Sequence, residues 1–376
     1  MKRPGVARWL AEPSRFAGLS RERARLVLLL LTALLAATFL ALRAPGPPAA
    51  SGEPEKRAEE RADVLLYQTI VESVRHGGDY YAVAAEELRT GDYPLKPFVT
   101  FRLPTLAVVQ ASLPDWATVA LLYALAVATA LAWWRRLAPA FRRPPQRVVA
   151  ILLLGGGMLV FVQAELVWFH EVWAGLLIAL SLALRRRGEW VAAAAFGCAA
   201  MLVRETAALY VGVMAAMAWA EGERREALGW AAATAVLAVA VAAHAHAVSQ
   251  VVRPLDPASP GWSGMLGPGF FVRTMVLSTA LRLAPLWLAA PLVGLALFGW
   301  AAWREPLAKR ALAVFAVYAL LLGVAGRVDT FYWGLLVAGP LLIGLAFAPD
   351  GLRDLLGAAI GERQRRRRIT VTRVVR

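Results

Sequence analysis

Apolar residues fall in long, nearly unbroken runs along this chain, divided by short polar segments. The runs are too long for strands and too apolar on all sides for the surface helices of a soluble domain. A helix needs about 20 mostly apolar residues to cross the hydrocarbon core of a bilayer. Runs approaching that length predict spans at residues 26–42, 116–134, 148–164, 172–184, 190–203, 206–220, 230–248, 283–303, 311–325 and 331–348. The expected fold class is therefore all-α: a polytopic membrane helix bundle of about ten transmembrane helices. The first run exceeds the apolar core of a signal peptide, roughly 7–15 residues, so it reads as a span and not as a removable leader. Three parts follow: a basic N-terminus at 1–25, a transmembrane domain at 26–348, and a basic tail at 349–376.

The polar positions concentrate in one interruption, residues 43–115. It opens with a linker at 44–52 in which Pro45, Pro47 and Pro48 lack the backbone donors a helix needs. From 55 to 75 the pattern turns helical, and Asp63, Tyr67, Ile70 and Val74 share one stripe. A carboxylate on an apolar stripe is better placed to face a cleft than open water. His76-Gly77-Gly78-Asp79 signals a turn before a second helix at 80–90, and Gly91-Asp92-Tyr93-Pro94 ends that helix. Residues 95–105 alternate Pro, aromatic and cationic side chains, which predicts an extended run along the membrane surface. A smaller polar loop occupies 249–282.

Composition reinforces the membrane assignment. Hydrophobic residues make up 59% of the 376, against about 45–50% in soluble domains, and the mean hydropathy is +0.55. The net charge of +15 would suggest nucleic acid in a soluble protein. Here it sorts by loop. Arg135, Arg136, Arg142, Arg143, Arg147, Arg185 to Arg187, Arg224, Arg225, Arg304, Lys309, Arg310 and Arg365 to Arg368 all fall on one side if both termini lie in the cytoplasm. The charge then marks topology, no nucleic-acid partner is expected, and 43–115 becomes a large extracytoplasmic loop. A single cysteine, Cys198, rules out a disulfide framework within the chain.

Candidate chemistry follows from that orientation. Asp63 is the first candidate for a general base, and Asp79, carried by the Gly77-Gly78 turn, is the reserve. Guanidinium groups offer a fork of donors that matches phosphate oxygens, and Arg102, Arg204, Arg282 and Arg327 fall on the outer side. Arg204-Glu205 interrupts apolar sequence between two runs, where ionisable groups are costly and commonly functional or paired with each other. His170-Glu171 occupies another outer turn. The histidine spacing forms no ligand motif, so no metal is expected.

Asp63-x-x-x-Tyr67, Gly78-Asp79-Tyr80-Tyr81, Gly91-Asp92-Tyr93-Pro94 and Arg102-x-Pro104-Thr105, set in a large first outer loop of a many-spanning chain, resemble the GT-C class of membrane glycosyltransferases. Arg204-Glu205 and Arg327-x-Asp329 are further, weaker matches. The resemblance implies an enzyme of a bacterial plasma membrane that takes a sugar from a polyprenyl-phosphate carrier and passes it to an acceptor glycan, lipid or protein outside. It implies no cofactor beyond the lipid-linked donor. It gives Asp63 the role of base and makes Tyr67, Tyr80, Tyr81, Arg102, His170, Glu171, Arg204, Glu205, Arg282 and Arg327 substrate-binding candidates. Two other classes compete: a secondary transporter, for which Gly155-Gly156-Gly157 would supply a broken helix, and a non-catalytic membrane assembly subunit.

Overall fold

The computed structural model describes residues 9–46 and 54–360, with 54–62 as helix backbone only. Most of the proline-rich linker and the basic run Arg365 to Arg368 lie outside the described residues. Among the described residues the fold is all-α, with fifteen α-helices, short 3-10 turns and no sheet. α1 (Arg21–Thr38) starts where Ser20 accepts from the Arg23 N–H, and it continues into a 3-10 turn, Phe39–Leu42. The polar interruption folds as α2 (Pro54–Arg75), α3 (Tyr80–Thr90) and α4 (Thr105–Ala111). Next come α5 (Asp115–Leu137), α6 (Pro144–Gly157), α7 (His170–Leu184), α8 (Val191–Val203), α9 (Ala208–Ala220) and α10 (Arg224–Val251). The last five are α11 (Pro268–Leu277), α12 (Leu286–Ala302), α13 (Pro306–Val324), α14 (Leu335–Leu341) and α15 (Gly344–Ile360).

The expected ten spans are not what forms. Among the described residues, four helical stretches are long and apolar enough to cross a membrane: Arg21–Leu42, Asp115–Ala140, Arg224–Val251 and Pro306–Val324. A fifth arises if Val328–Leu341 and Gly344–Ile360, bent by 63° at their break, count as one span. These helices make the chain a candidate multi-pass membrane protein. The other apolar runs fold as helices of 10–17 residues. At 1.5 Å per residue a 13-residue helix is about 20 Å long, short of the roughly 30 Å hydrocarbon core. For α7 the apolar sequence has another cause, because it is wrapped by protein. All of α7 except Leu177 and Leu184 is buried, packed among α5, α8 and α14. Arg204, extended at φ −145° and ψ 111°, stops α8 after thirteen residues.

Two ends can be distinguished. At one, the Leu10 N–H donates to Asp350 Oδ2 at 2.6 Å, and the Ala11 N–H donates to the Ala140 carbonyl at 2.9 Å. The described beginning of the chain thus lies against α15 and the α5–α6 turn. At the other end sit α2, α3 and α4 with residues 250–262. Arg89 on α3 grips both Asp256 oxygens at 2.9 Å, and the Ser259 N–H donates to the Lys96 carbonyl at 2.7 Å. Residues 95–105 are not extended throughout, since Phe98–Thr100 form a 3-10 turn. Leu95, Phe101 and Leu103 are buried, because the segment packs inward beneath this second loop. Between the two ends, helices cross at glycines: a Cβ on Gly299 would run into the Gly344 carbonyl, and one on Gly175 into the Leu335 carbonyl.

Candidate active site

The stripe read on α2 faces inward, as its pattern requires: Ile70 is buried and Tyr67 packs against the core. The Tyr67 ring lies 4.8 Å from the His170 ring and 6.1 Å from that of Phe169, edge-on to both. The Arg102 guanidinium sits 5.8 Å from the Tyr67 centroid, within cation–π range. Arg102 itself is set by the turn before α4, where the Tyr80 hydroxyl donates to the Arg102 carbonyl at 2.8 Å.

His170 and Glu171 open α7, where the partial positive charge of a helix N-terminus favours a carboxylate. Glu171 is fully buried, and its Oε1 accepts from Arg204 Nε at 2.5 Å. Arg102 Nη2 stands 3.8 Å from the same oxygen. The break between α8 and α9 turns Arg204 toward this point and brings Glu205 alongside, with Arg204 Nη1 donating to Glu205 Oε2 at 2.9 Å. The other oxygen of Glu205 accepts from the Leu103 N–H at 3.2 Å. Trp333 offers its ring 6.0 Å from the Arg204 guanidinium, and Tyr332 stands edge-on to Phe169 at 5.1 Å. Asp63, at the outer edge, accepts from the Tyr93 hydroxyl at 2.7 Å.

Charge and burial act together here. Desolvation raises the Tyr67 hydroxyl well above the ordinary phenol range, with Arg102 opposing and Glu171 and Asp63 reinforcing, so it stays a neutral donor. Burial and the Asp63 bond push Tyr93 up in the same direction. Burial works against the charge on Arg102, but the carboxylates of Glu171 and Glu205 nearby favour it and keep the guanidinium protonated.

Several polar atoms in this cluster are buried and have no partner: Arg102 Nε, both ring nitrogens of His170, Glu171 Oε2 and Trp333 Nε1. An unsatisfied buried group costs about 1–3 kcal/mol. Gathered around two guanidiniums, such atoms suit a site that takes a polar ligand. No group of three or more His, Cys, Asp or Glu stands at metal-binding spacing among the described residues.

Comparison of the chain with protein-family models, with curated proteins and with solved structures gives no match.

Of the residues singled out in the sequence, Asp63, Tyr67, Tyr80, Arg102, His170, Glu171, Arg204 and Glu205 converge. Tyr81 lies at the margin, its hydroxyl 3.2 Å from His244 Nδ1. Asp79 instead caps α3, accepting from the Ala82 N–H at 3.0 Å, and is exposed. Arg282 is exposed in the 3-10 turn Ala280–Leu283. Arg327 pairs with its neighbour Asp329 at 2.5 Å. Tyr93, Tyr332 and Phe169 join the cluster without having been selected, since an aromatic near a span end reads as an interfacial belt residue. Tyr93 carried the one usable signal, its place within Gly91-Asp92-Tyr93-Pro94.

Proposed function

We propose that this chain is a membrane glycosyltransferase resembling the GT-C class. It would move a sugar from a polyprenyl-phosphate carrier to an acceptor glycan, lipid or protein at the end that carries α2, α3 and α4. In this proposal that end is extracytoplasmic, the membrane is a bacterial plasma membrane, and both chain ends lie inside. One juxtaposition carries it: Tyr67 has the Arg102 guanidinium beside its ring, while Asp63 lies one turn away on the same helix stripe and within electrostatic reach. A cation suited to a departing phosphate and a carboxylate suited to an incoming hydroxyl are thus separated by one neutral phenol.

The chemistry balances simply. Asp63 takes the proton of the acceptor hydroxyl, whose oxygen forms a bond to the anomeric carbon. The bond from that carbon to the phosphate oxygen breaks, and the phosphate leaves with the electron pair, its charge met by Arg102. Tyr93, hydrogen-bonded to Asp63, keeps the carboxylate oriented. Arg204, committed to Glu171 and Glu205, serves better to position Glu171 than to hold phosphate.

Purified protein in vesicles, offered labelled polyprenyl-phosphate sugars and a panel of acceptors, tests this directly. Wild type is expected to transfer label, and Asp63→Asn to slow transfer roughly 10²–10⁴-fold with unchanged helical content. Equal rates would remove Asp63 as base, and no transfer by wild type from any such donor would remove the enzyme. The 63° break between α14 and α15 favours a second reading, a transporter with a discontinuous helix. Solute flux through the same vesicles without transfer would select it.

A further inference from the structure

At the end opposite Tyr67, α5 gives way to a 3-10 turn, Ala138–Ala140, before α6 begins at Pro144. A cavity of about 190 Å³ opens there, lined by Ala138, Phe141, Arg142, Arg143, Pro144 and Arg147. A water molecule in the liquid takes about 30 Å³, so the space accepts a group several times larger. Its chemistry is one-sided. Arg142 and Arg143 are exposed. Arg147 stacks its guanidinium on Trp134, 3.6 Å from the ring centroid, with its Nε buried and unpartnered. None of the three forms an ion pair among the described residues. Arg136, close by on α5, shows the contrast, because Glu305 engages it at 2.7 Å.

The cavity is also firmly built. Phe141 stacks on Phe347 at 5.7 Å between ring centroids, the Arg142 N–H donates to the Trp9 carbonyl at 3.3 Å, and the Arg143 N–H donates to Gln146 Oε1 at 3.1 Å. The first turn of α6 adds the positive end of a fourteen-residue helix.

What leads away from the cavity is apolar. Val127 and Leu131 are exposed one turn apart on α5, and Val148 and Leu152 one turn apart on α6. The two helices pack together, and α5 belongs to a stretch long enough to cross a bilayer. Three uncompensated guanidiniums at the mouth of an exposed apolar stripe match an amphiphile with an anionic head. A soluble anion would use the arginines and leave the stripe idle.

We propose that this cavity binds the phosphate headgroup of an anionic phospholipid, with the acyl chains lying along Val127, Leu131, Val148 and Leu152. Basic pockets beside membrane helices recognise such headgroups through exactly the charge and donors present here, though at headgroup depth each Arg adds only modestly to affinity. The site does not depend on the glycosyltransferase proposal, since it lies at the other end of the molecule and uses other residues.

The test uses full-length protein in neutral detergent, titrated with short-chain phosphatidylglycerol, short-chain phosphatidylcholine or inorganic phosphate, and read by thermal unfolding and by native mass spectrometry. Phosphatidylglycerol is expected to bind and to raise the unfolding temperature. Arg143→Gln with Arg147→Gln should weaken it roughly 10- to 30-fold. Arg147→Lys, which keeps the charge but loses the fork, should weaken it less. Arg224→Gln, placed outside the cavity, should leave binding unchanged. Equal binding of inorganic phosphate would make this a free-phosphate site and overturn the lipid assignment. Equal phosphatidylcholine binding, or unchanged affinity in the double variant, would overturn the site itself.

Discussion

Glu171 and its two arginines show how finely charge is placed in the cluster. Both side chains of the Glu171–Arg204 pair are almost wholly buried, so Arg204→Ala leaves a carboxylate whose nearest remaining cation, Arg102, is 3.8 Å away. Breaking a buried pair from one side costs about 3–5 kcal/mol. Arg204→Ala should therefore lower the unfolding temperature sharply, while Glu171→Met with Arg204→Leu should recover most of the loss. Thermal unfolding of both variants checks this. Arg102 differs in having no partner at Nε and a looser hold on Glu171, at 3.8 Å. Arg102→Gln is expected to cost less stability than Arg204→Ala and to weaken polyprenyl-phosphate binding about tenfold or more, measured by direct titration. Part of this was legible in the sequence. Arg204-Glu205 stood out because a charged pair interrupted apolar residues, and Asp63 and Tyr67 because of their helical spacing. Tyr332 and Trp333 were not legible, since their role depends on which helix end meets Phe169 and Arg204 in space.

At the scale of elements, α2 and α3 formed where periodicity and the His76-Gly77-Gly78 turn predicted them, because each keeps a polar side and an apolar side. The apolar run at 172–184 misled for the opposite reason. A helix enclosed by other helices is apolar all round, as a lipid-facing one is, and only its length tells them apart. The inward packing of Leu95, Phe101 and Leu103 was not legible because their partner, the loop containing Asp256 to Ser259, lies far along the chain. That loop is latched by Arg89, whose hydrogen bonds hold the Asp256 carboxyl below the usual carboxylate range, helped by the Arg253 N–H. A carboxyl depressed in the folded state contributes stability that is complete above its unfolded value of about 3.9 and fades as pH falls through its folded value. Amide protection at Arg253 and Asp256 should accordingly persist from pH 7 down to about 4 and weaken only below it. Arg89→Ala should abolish that protection at every pH, as read by hydrogen exchange.

For the whole molecule, two polar ends are joined by helices that cross at glycines. One end holds the candidate active site and the other the arginine-lined cavity, so a ligand at either leaves the other free. The crossing of α12 and α15 is the tightest seam between them, and Gly299→Val drives a side chain into the Gly344 backbone. Overpacking of this kind costs typically 1–3 kcal/mol. A lowered unfolding temperature is expected, together with reduced transfer if the α14–α15 break also orients Trp333.

The enclosure of α7 bears on how the chain is made. Fifteen residues cannot anchor themselves in lipid as they leave the ribosome, and one of the walls that shelter them, Leu335–Leu341, is synthesised more than 150 residues later. A nascent chain halted after Leu184 should therefore leave α7 open to added protease, whereas the finished chain should protect it. Integration of this protein cannot simply follow the order of translation, and its middle must wait for its end.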